Sequence, residues 1–186
     1  YPDFFVMMGL LNKKSLIVKI WHFLNAKVYS DASFVISLGE NMLTQLKNNY
    51  KIDQKKMNIL PPWVDTEIIK PLDYNDNPLA KTFNPERKHV VLYSGNMGIS
   101  HDIESILEAS KSLSYRKDIL FIFIGGGEKW HYVNDYKGKH NLDNIQVYRY
   151  ITEDQLPYSM TLSTISLITM SKGSEELMIP SKLSYY

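Results

Sequence analysis

The chain has 186 residues, which gives room for one domain or for a domain with part of another. Hydrophobic residues make up 44% of it and charged residues 22%, an ordinary balance for a globular protein. A net charge of +1 gives no reason to expect nucleic acid as a partner. The absence of cysteine excludes disulfide bonds and thiolate metal sites. No apolar run reaches the roughly 18 residues that a transmembrane helix requires.

The two ends suggest a piece of a longer protein. The chain opens with Tyr1-Pro2-Asp3, without a methionine or a signal peptide, and it stops at Tyr186 in what resembles the start of a helix. We therefore expect further residues on both sides.

The first 60 residues alternate between helical and strand patterns. Apolar residues at helical spacing predict a helix over 15–30, and a second helix is predicted over 40–50. Short apolar runs predict strands at 33–37 and 57–60.

Residues 61–88 have the composition of a loop. They hold five prolines, together with a group of aspartates and asparagines between residues 73 and 77. This stretch is the best predicted domain boundary in the chain.

Strands and helices alternate regularly after residue 88. The predicted strands are 89–94, 119–124, 145–148 and 164–169, and the predicted helices are 102–114, 128–137 and 153–161. Such alternation predicts an α/β fold, a Rossmann-like parallel sheet with helices on both faces. Ligands of such sheets bind at the carboxyl ends of the strands.

The most informative stretch is VVLYSGNMGISHD, residues 90–102. An apolar strand breaks at a turn containing Gly95 and Gly98, and a helix begins behind Asp102. Glycines let a backbone approach a ligand closely, and the free N–H groups and dipole of a helix end attract phosphate. A tight turn without a ligand remains the alternative for this segment alone.

Three further motifs follow successive predicted strands. They are the glycine run 125–127, the stretch YRYITE at 148–153, and the pair Glu175-Glu176 followed by Pro180-Ser181-Lys182. Taken singly, the glycine run can be a helix–sheet packing turn, Glu175-Glu176 is more often a solvated loop, and Lys182 is more often a surface lysine. Because the carboxyl ends of parallel strands meet at one edge, four candidates in succession favour a shared site for a phosphate or a sugar.

Seven segments resemble glycosyltransferase family 4, whose members are retaining enzymes of the GT-B fold. The nearest resemblance is to the bacterial members that build capsule, O-antigen (lipopolysaccharide) or exopolysaccharide. The segments run in order over nearly the whole chain: YPDFFVMMGLL, VYSDASFVISLGENMLTQL, ILPPWVDTEIIKPL, VVLYSGNMGISHDIESILEAS, ILFIFIGGGEK, LDNIQVYRYITEDQLP and IPSKLSYY.

The resemblance implies a layout of three parts. Residues 1–60 would be the end of an acceptor-binding Rossmann domain whose first half is missing, and residues 61–88 would be the interdomain hinge. Residues 89–186 would form the nucleotide-sugar-binding domain, cut before its final helices. The resemblance also implies that no cofactor and no metal ion is needed, so the acidic residues 73–76 are interpreted as solvated linker.

The resemblance assigns site residues as well. The implied diphosphate-binding residues are those of the two glycine turns and of the PSK element: Gly95, Asn96, Gly98, His101, Gly126, Lys129, Ser181 and Lys182. Ile151 stands where the family's backbone contacts the base. The positions of the family's paired glutamates fall at Leu177 and Tyr185. Glu176 replaces the first if the loop shifts by one residue, and Tyr185 in place of the second leaves ribose recognition open.

The implied reaction transfers a sugar from a nucleoside diphosphate to an acceptor hydroxyl with retention. No residue of the chain is a convincing general base, so the catalytic residues are unassigned. The expected partners are a nucleotide sugar and a lipid-linked or polysaccharide acceptor, in the cytoplasm or at the inner face of the plasma membrane.

The helix predicted near residues 13–29 allows two interpretations. Four lysines border its apolar residues, and a basic amphipathic helix of this kind can lie on a bilayer. It can also pack on its own sheet with its lysines in water, and we favour this packed helix.

Two other function classes stay open. A GT-B nucleotide-sugar 2-epimerase would share the sheet and the diphosphate site, although the PSK ending argues against it. A non-catalytic nucleotide-binding Rossmann fragment is the second. We expect the truncated chain alone to be inactive, because half a cleft cannot catalyse.

Overall fold

The computed structural model describes residues 2–84, 86–174 and 177–184. The chain folds as two compact units. The first comprises Tyr1–Trp63 and Met170–Ser181, and the second comprises Val64–Thr169 and Lys182–Tyr186.

The first unit is a small α/β arrangement. Helices α1 (Pro2–Met7) and α2 (Leu16–Asp31) precede β1 (Val35–Ser37), α3 (Glu40–Tyr50) and β2 (Met57–Ile59). Strands β1 and β2 pair in parallel, and a core of Val35, Leu46 and Ile52 lies under α3. Helix α1 was not predicted from the sequence, since its six residues are too short to show a helical period.

Residues 170–181 belong to this first unit. Ile179 packs so closely on Gly39 that a Cβ atom at position 39 would overlap its side chain, and Gly173 lies beside the sulfur atom of Met7. The prediction had joined this segment to the donor-side domain. The assignment of acceptor-side, hinge and donor-side roles stays a prediction.

The second unit is built on a four-stranded sheet. Its elements are α4 (Ala80–Phe83), β3 (His89–Asn96), α5 (Ile103–Ser112), β4 (Ile119–Gly126), α6 (Trp130–His140), β5 (Ile145–Tyr148), α7 (Leu156–Met160) and β6 (Ile165–Ser166). The order is β5-β4-β3-β6, and every neighbouring pair is parallel. The predicted parallel sheet is confirmed, with β6 shorter than the predicted strand 164–169.

Alternate residues of the central strands build a core on each face of the sheet. On one face Tyr93, Phe121 and Phe123 pack against α5 and α6. On the other face Val90, Leu92 and their neighbours on β4 pack against α4 and Leu162. Because both central strands are covered on both sides, they read as continuous apolar runs in the sequence. The prediction of helices on both faces is confirmed.

The strand order creates a topological switch point beside β3. The chain moves outward from β3 through β4 to β5, and then returns to place β6 on the opposite side of β3. In open α/β sheets the ligand crevice lies outside the carboxyl ends of the strands at this point. A ligand crevice is therefore expected beside the residues that follow β3 and β6.

Residues 74–84 are more ordered than the loop composition predicted. Asn77 donates from its side-chain amide to the Tyr158 carbonyl (2.7 Å) and the Thr161 hydroxyl (2.9 Å). Phe83 stacks on Tyr148 with ring centroids 4.1 Å apart. Part of the predicted hinge is thus a packed component of the second unit, because these contacts over long sequence distance override local loop composition.

The packed helix favoured for α2 is present only in part, because Trp21 and Tyr29 pack within the first unit while the predicted apolar face is exposed. The helix packs through Val18, while Leu16, Ile20 and Leu24 on its apolar stripe are 71%, 50% and 52% exposed. The two-stranded sheet of the first unit leaves this stripe uncovered. No helix in the described ranges is both long enough and apolar enough to cross a membrane.

Candidate functional site

Two glycine turns lie side by side at the ends of β3 and β4. Gly95 pairs with Gly125, and the Met97 N–H donates to the Gly126 carbonyl at 2.6 Å. The φ angles of Gly95 and Gly125 are +129° and +145°, and a Cβ atom on Gly125 would overlap the carbonyl oxygen of Gly95. Only glycine fits both positions without strain, so the two backbones form one close-packed floor.

The turn after β3 is held in place by the buried side chain of Met97 and by a hydrogen bond from Tyr93 of β3. Met97 is completely buried in the core under α5 and α6. The Tyr93 hydroxyl donates to the Asn96 carbonyl at 2.7 Å, and the His101 N–H donates to the Gly98 carbonyl at 3.1 Å. Gly98 is not at positive φ, and a Cβ there would first meet the Asn96 amide nitrogen at 2.9 Å. The lack of a side chain at Gly98 therefore leaves space beside the Asn96 amide, and the backbone of Gly98 has an ordinary conformation.

Asp102 caps the helix that follows the turn. Its carboxylate accepts from the Ser105 N–H at 3.0 Å and from the Ser105 hydroxyl at 2.6 Å. These hydrogen bonds from Ser105 hold the pKa of Asp102 below its usual value. The Asp102 carboxylate thus already interacts with the positive end of α5. An external anion would therefore be attracted to this helix end less strongly than the sequence suggested.

Lys129 contacts the same region, but its charge is partly neutralised. Its ammonium donates to the His101 carbonyl at 2.7 Å and to a carboxylate oxygen of Glu104 at 2.9 Å. Its backbone N–H also donates to the Met97 carbonyl at 2.9 Å. Lys129 therefore ties the second glycine turn to the first turn of α5.

His101 bridges the switch point. Its Nδ1 lies 3.1 Å from the carbonyl oxygen of Thr169, which follows β6. Burial, and then the positive charge of Lys182, lower the pKa of His101. A neutral ring that donates from Nδ1 to this carbonyl leaves Nε2 as an acceptor. His101 then fixes the spacing of two strand ends and does not present a cation there.

The ammonium of Lys182 is the most unusual group of the site. It lies 3.6 Å from the centroid of the Tyr93 ring and borders Gly95, where a Cβ atom would be 3.2 Å from Nζ. It is shielded from solvent and has no hydrogen-bond acceptor among the described residues. Burial lowers the pKa of Lys182 to about 8. The floor of the two glycine turns is therefore flanked by an ammonium group without an acceptor there.

The end of β5 contributes an aromatic border. The Tyr150 ring lies against Gly126, where a Cβ atom would approach it to 2.9 Å. The Arg149 guanidinium stacks 3.5 Å from the centroid of the Trp130 ring. Ile151, the predicted base-contact position, packs on the core of the opposite sheet face.

Most of the predicted site residues meet at this edge of the sheet. The structure brings together seven of them: Gly95, Asn96, Gly98, His101, Gly126, Lys129 and Lys182. Ser181 is exposed at the start of a 3₁₀ helix, and Glu176 lies outside the described residues. The sequence reasoning missed Tyr93, Thr169 and Glu104. Tyr93 carried a signal, because it is an aromatic residue two positions before the first glycine of the turn.

Two curated proteins are similar to the chain in sequence. The probable glycosyltransferase WbjE of Pseudomonas aeruginosa is 23% identical over 182 residues, which is 98% of this chain and 45% of that protein. The putative colanic acid biosynthesis glycosyl transferase WcaI of Escherichia coli K12 is 27% identical over 100 residues, 54% of this chain and 24% of that protein. The chain thus spans less than half the length of these relatives. No protein-family profile matches it.

Solved structures share the architecture. The Anabaena protein HepE, crystallised in complex with UDP-glucose, superposes with a TM-score of 0.64 at 12% identity, covering 84% of this chain and 45% of that one.

The fold is that of the GT-B glycosyltransferases.

The sequence similarity to WbjE, which is named as a probable glycosyltransferase, extends over nearly the whole chain. The comparisons do not favour an epimerase or a non-catalytic nucleotide-binding fragment.

Proposed function

We propose that this chain is the nucleotide-sugar-binding part, with a portion of the acceptor-binding part, of a retaining glycosyltransferase of cell-surface polysaccharide synthesis. The donor's diphosphate would lie on the floor formed by residues 95–98 and 125–127. The names of WbjE and WcaI support the reaction class, and the colanic acid biosynthesis named for WcaI supports a role in polysaccharide synthesis. The family 4 subgroup, the retention and the cytoplasmic location rest on the sequence resemblance.

The observation that carries the proposal is the environment of Lys182. A shielded ammonium without a described acceptor is costly, whereas a diphosphate beside it would supply charged acceptor oxygens. The adjacent glycine turns provide the close backbone approach that phosphate requires. A structural lysine would instead reach solvent or a carboxylate, as Lys129 does with Glu104.

The proposed chemistry uses the chain's own charges. As the bond between the anomeric carbon and the diphosphate breaks, negative charge grows on the leaving oxygen. The Lys182 ammonium and the turn backbone would stabilise it without a metal ion. Neutral His101 would keep the ends of β3 and β6 at a fixed distance through its bond to Thr169. The Tyr150 segment would border the nucleoside.

Calorimetric titration of the chain with UDP, GDP and ADP tests the binding site. We expect at least one of the three to bind, and the chain to release no sugar from any nucleotide sugar, because it spans less than half the length of the relatives it matches. A folded chain that gives no heat with any of the three nucleotides contradicts the proposal.

The full-length protein tests the reaction. We expect it to hydrolyse slowly one member of a panel of nucleotide sugars, and to transfer that sugar faster when an acceptor is added. Retention is checked by the anomeric configuration of the product. Full-length protein that binds nucleotide but cleaves no nucleotide sugar would indicate a non-catalytic role.

A further inference from the structure

The first unit contains a polar cavity that the donor site does not use. It measures about 340 Å³, is open to solvent on one side, and is lined by residues of α1, α2 and α3 together with Lys13, Gly173 and Leu177. This volume falls within the range of small-molecule sites. A narrower pocket continues from it toward Tyr50.

Hydrogen-bonding groups converge in this cavity. Asp3 and His22 line it together, with Asp3 Oδ1 lying 3.3 Å from His22 Nε2, and both side chains are mostly buried at 24% and 31% exposure. The amides of Gln45 and Asn49, four residues apart on α3, line the same space. A carboxylate, an imidazole and two amides together can both donate and accept hydrogen bonds.

The remaining walls are apolar apart from Lys13, which lines the cavity as well. Val6 and Met7 of α1 and Leu177 line the cavity beside the polar groups. A sugar ring has hydroxyl groups around its edge and C–H groups on its faces, so it matches a lining of both kinds. Asp3 and Lys13 bring opposite charges to the lining, so it favours a neutral ligand over a phosphate, and a purely aliphatic ligand would leave the Asp3–His22 pair desolvated.

We propose that this cavity binds a neutral sugar ring of the acceptor, with Asp3, His22 and Asn49 as its hydrogen-bonding groups. The proposal rests on the proposed function, because a glycosyltransferase needs a second site for the molecule that carries the attacking hydroxyl. It adds the chemical class of that molecule and the residues that hold it.

Nuclear magnetic resonance titration of the ¹⁵N-labelled chain tests the cavity. The probes are methyl α-D-glucoside, methyl α-D-galactoside, N-acetylglucosamine and L-fucose, each added alone, with UDP titrated separately. We expect at least one sugar to shift the side-chain amide signals of Gln45 and Asn49. UDP should shift the backbone signals of Gly95 and Gly98 instead.

Matched variants assign the effect to the cavity. Asp3→Asn is nearly isosteric, and we expect it to weaken sugar binding about tenfold or more, because it removes the charged acceptor. Asn49→Ala should also weaken it. Asp31→Asn, at the end of α2, is the matched control and should bind sugar as the unmodified chain does. Well-dispersed spectra check that each variant is folded.

The outcomes separate this proposal from the proposed function. If UDP shifts the glycine signals but no sugar shifts the amide signals, or if Asp3→Asn and Asn49→Ala both bind sugar normally, the acceptor cavity is wrong and the donor site stands. If sugars shift the amide signals and no nucleotide binds, the cavity stands as a sugar site and the donor proposal fails.

Discussion

The ammonium of Lys182 reduces the stability of the folded chain, because it is removed from water without a described acceptor. The Tyr93 ring face at 3.6 Å offsets part of that cost through a cation–π contact. A group that opposes folding and borders a glycine turn is typical of a binding site, where stability is given up for function.

Replacing Lys182 with methionine should separate these two effects. Methionine keeps the length and apolar stem but removes the charge, so we expect the free energy of unfolding at pH 7 to rise by roughly 1–3 kcal/mol. The affinity for the nucleotide that binds should fall by about tenfold or more. Denaturant unfolding and calorimetry measure the two quantities. Lys139→Met, on the exposed side of α6, is the control and should change neither. Unchanged affinity in Lys182→Met would make Lys182 a structural residue.

The pH dependence follows from the lowered pKa of the same group. The folded pKa is about 8 and the ordinary value is 10.5, so the folded chain releases this proton first. The destabilising charge is fully present below pH 8, and its cost is relieved as the pH rises from about 8 to 10.5. Nucleotide affinity should change in the opposite direction and fall above pH 8, because the neutral amine attracts phosphate less strongly. Calorimetry from pH 7 to pH 10 checks this, with Lys182→Met expected to show neither trend.

At the scale of elements, the sheet depends on a contact between two backbones. Gly95 and Gly125 face each other one residue before the ends of β3 and β4, with almost no space between the two backbones. Any side chain at position 125 must either push β3 away or leave the φ angle of +145°. The same contact between Gly95 and Gly125 therefore forms the floor of the site and fixes the register of the two central strands.

Two glycine-to-alanine changes measure this contact. Gly125→Ala should lower the free energy of unfolding by about 2 kcal/mol or more, because it combines backbone strain with overlap on the Gly95 carbonyl. Gly138→Ala is the matched control. Gly138 lies in α6 with open space around its Cβ position, so alanine should stabilise the chain by roughly 0.5–1 kcal/mol. Equal effects of the two changes would show that the turn tolerates a side chain.

The elements that the sequence predicted well are those with a long, regular pattern. Strand β4 and helix α5 follow from their apolar runs and spacing. The four-residue helix α4 was missed because tertiary contacts, such as the Phe83–Tyr148 stack, hold it within a proline-rich stretch. On α2 the period located an apolar stripe, but a period does not show whether other parts of the chain cover it.

The same limit applies to the candidate site. The glycine turns were predictable, because strand, glycine and helix cap follow one another directly in the sequence. The burial of Lys182 was not, since it depends on packing against Tyr93, far away along the chain. The neutralisation of Lys129 by Glu104 was equally hidden, because Lys129 directly precedes α6 and Glu104 is on α5, 25 residues earlier.

At the scale of the whole molecule, the two units have very different cores. The second unit buries two large clusters against its sheet, whereas the first has one cluster of three buried residues and a separately buried Val18 among those described. Buried apolar area is the main favourable contribution to folding, so the first unit should be the less stable of the two.

We therefore expect unfolding by urea to occur in two steps. The first unit should lose its structure at the lower urea concentration, and the nucleotide that binds should raise only the midpoint of the second step, because a ligand stabilises the state to which it binds. Hydrogen exchange monitored residue by residue checks the order. One cooperative transition, or a nucleotide shift in both steps, would show that the units fold as one.

The stack of Arg149 on Trp130 provides an optical way to observe these steps. The chain has three tryptophans, and Trp130 is the one that belongs to the second unit, at the start of α6. Trp21 and Trp63 both lie in the first unit, and Trp63 is 79% exposed. With phenylalanine at positions 21 and 63, the tryptophan fluorescence of the chain would come from the second unit alone. A change in that emission on adding nucleotide would report the ordering of the indole beside the glycine floor, without any external label.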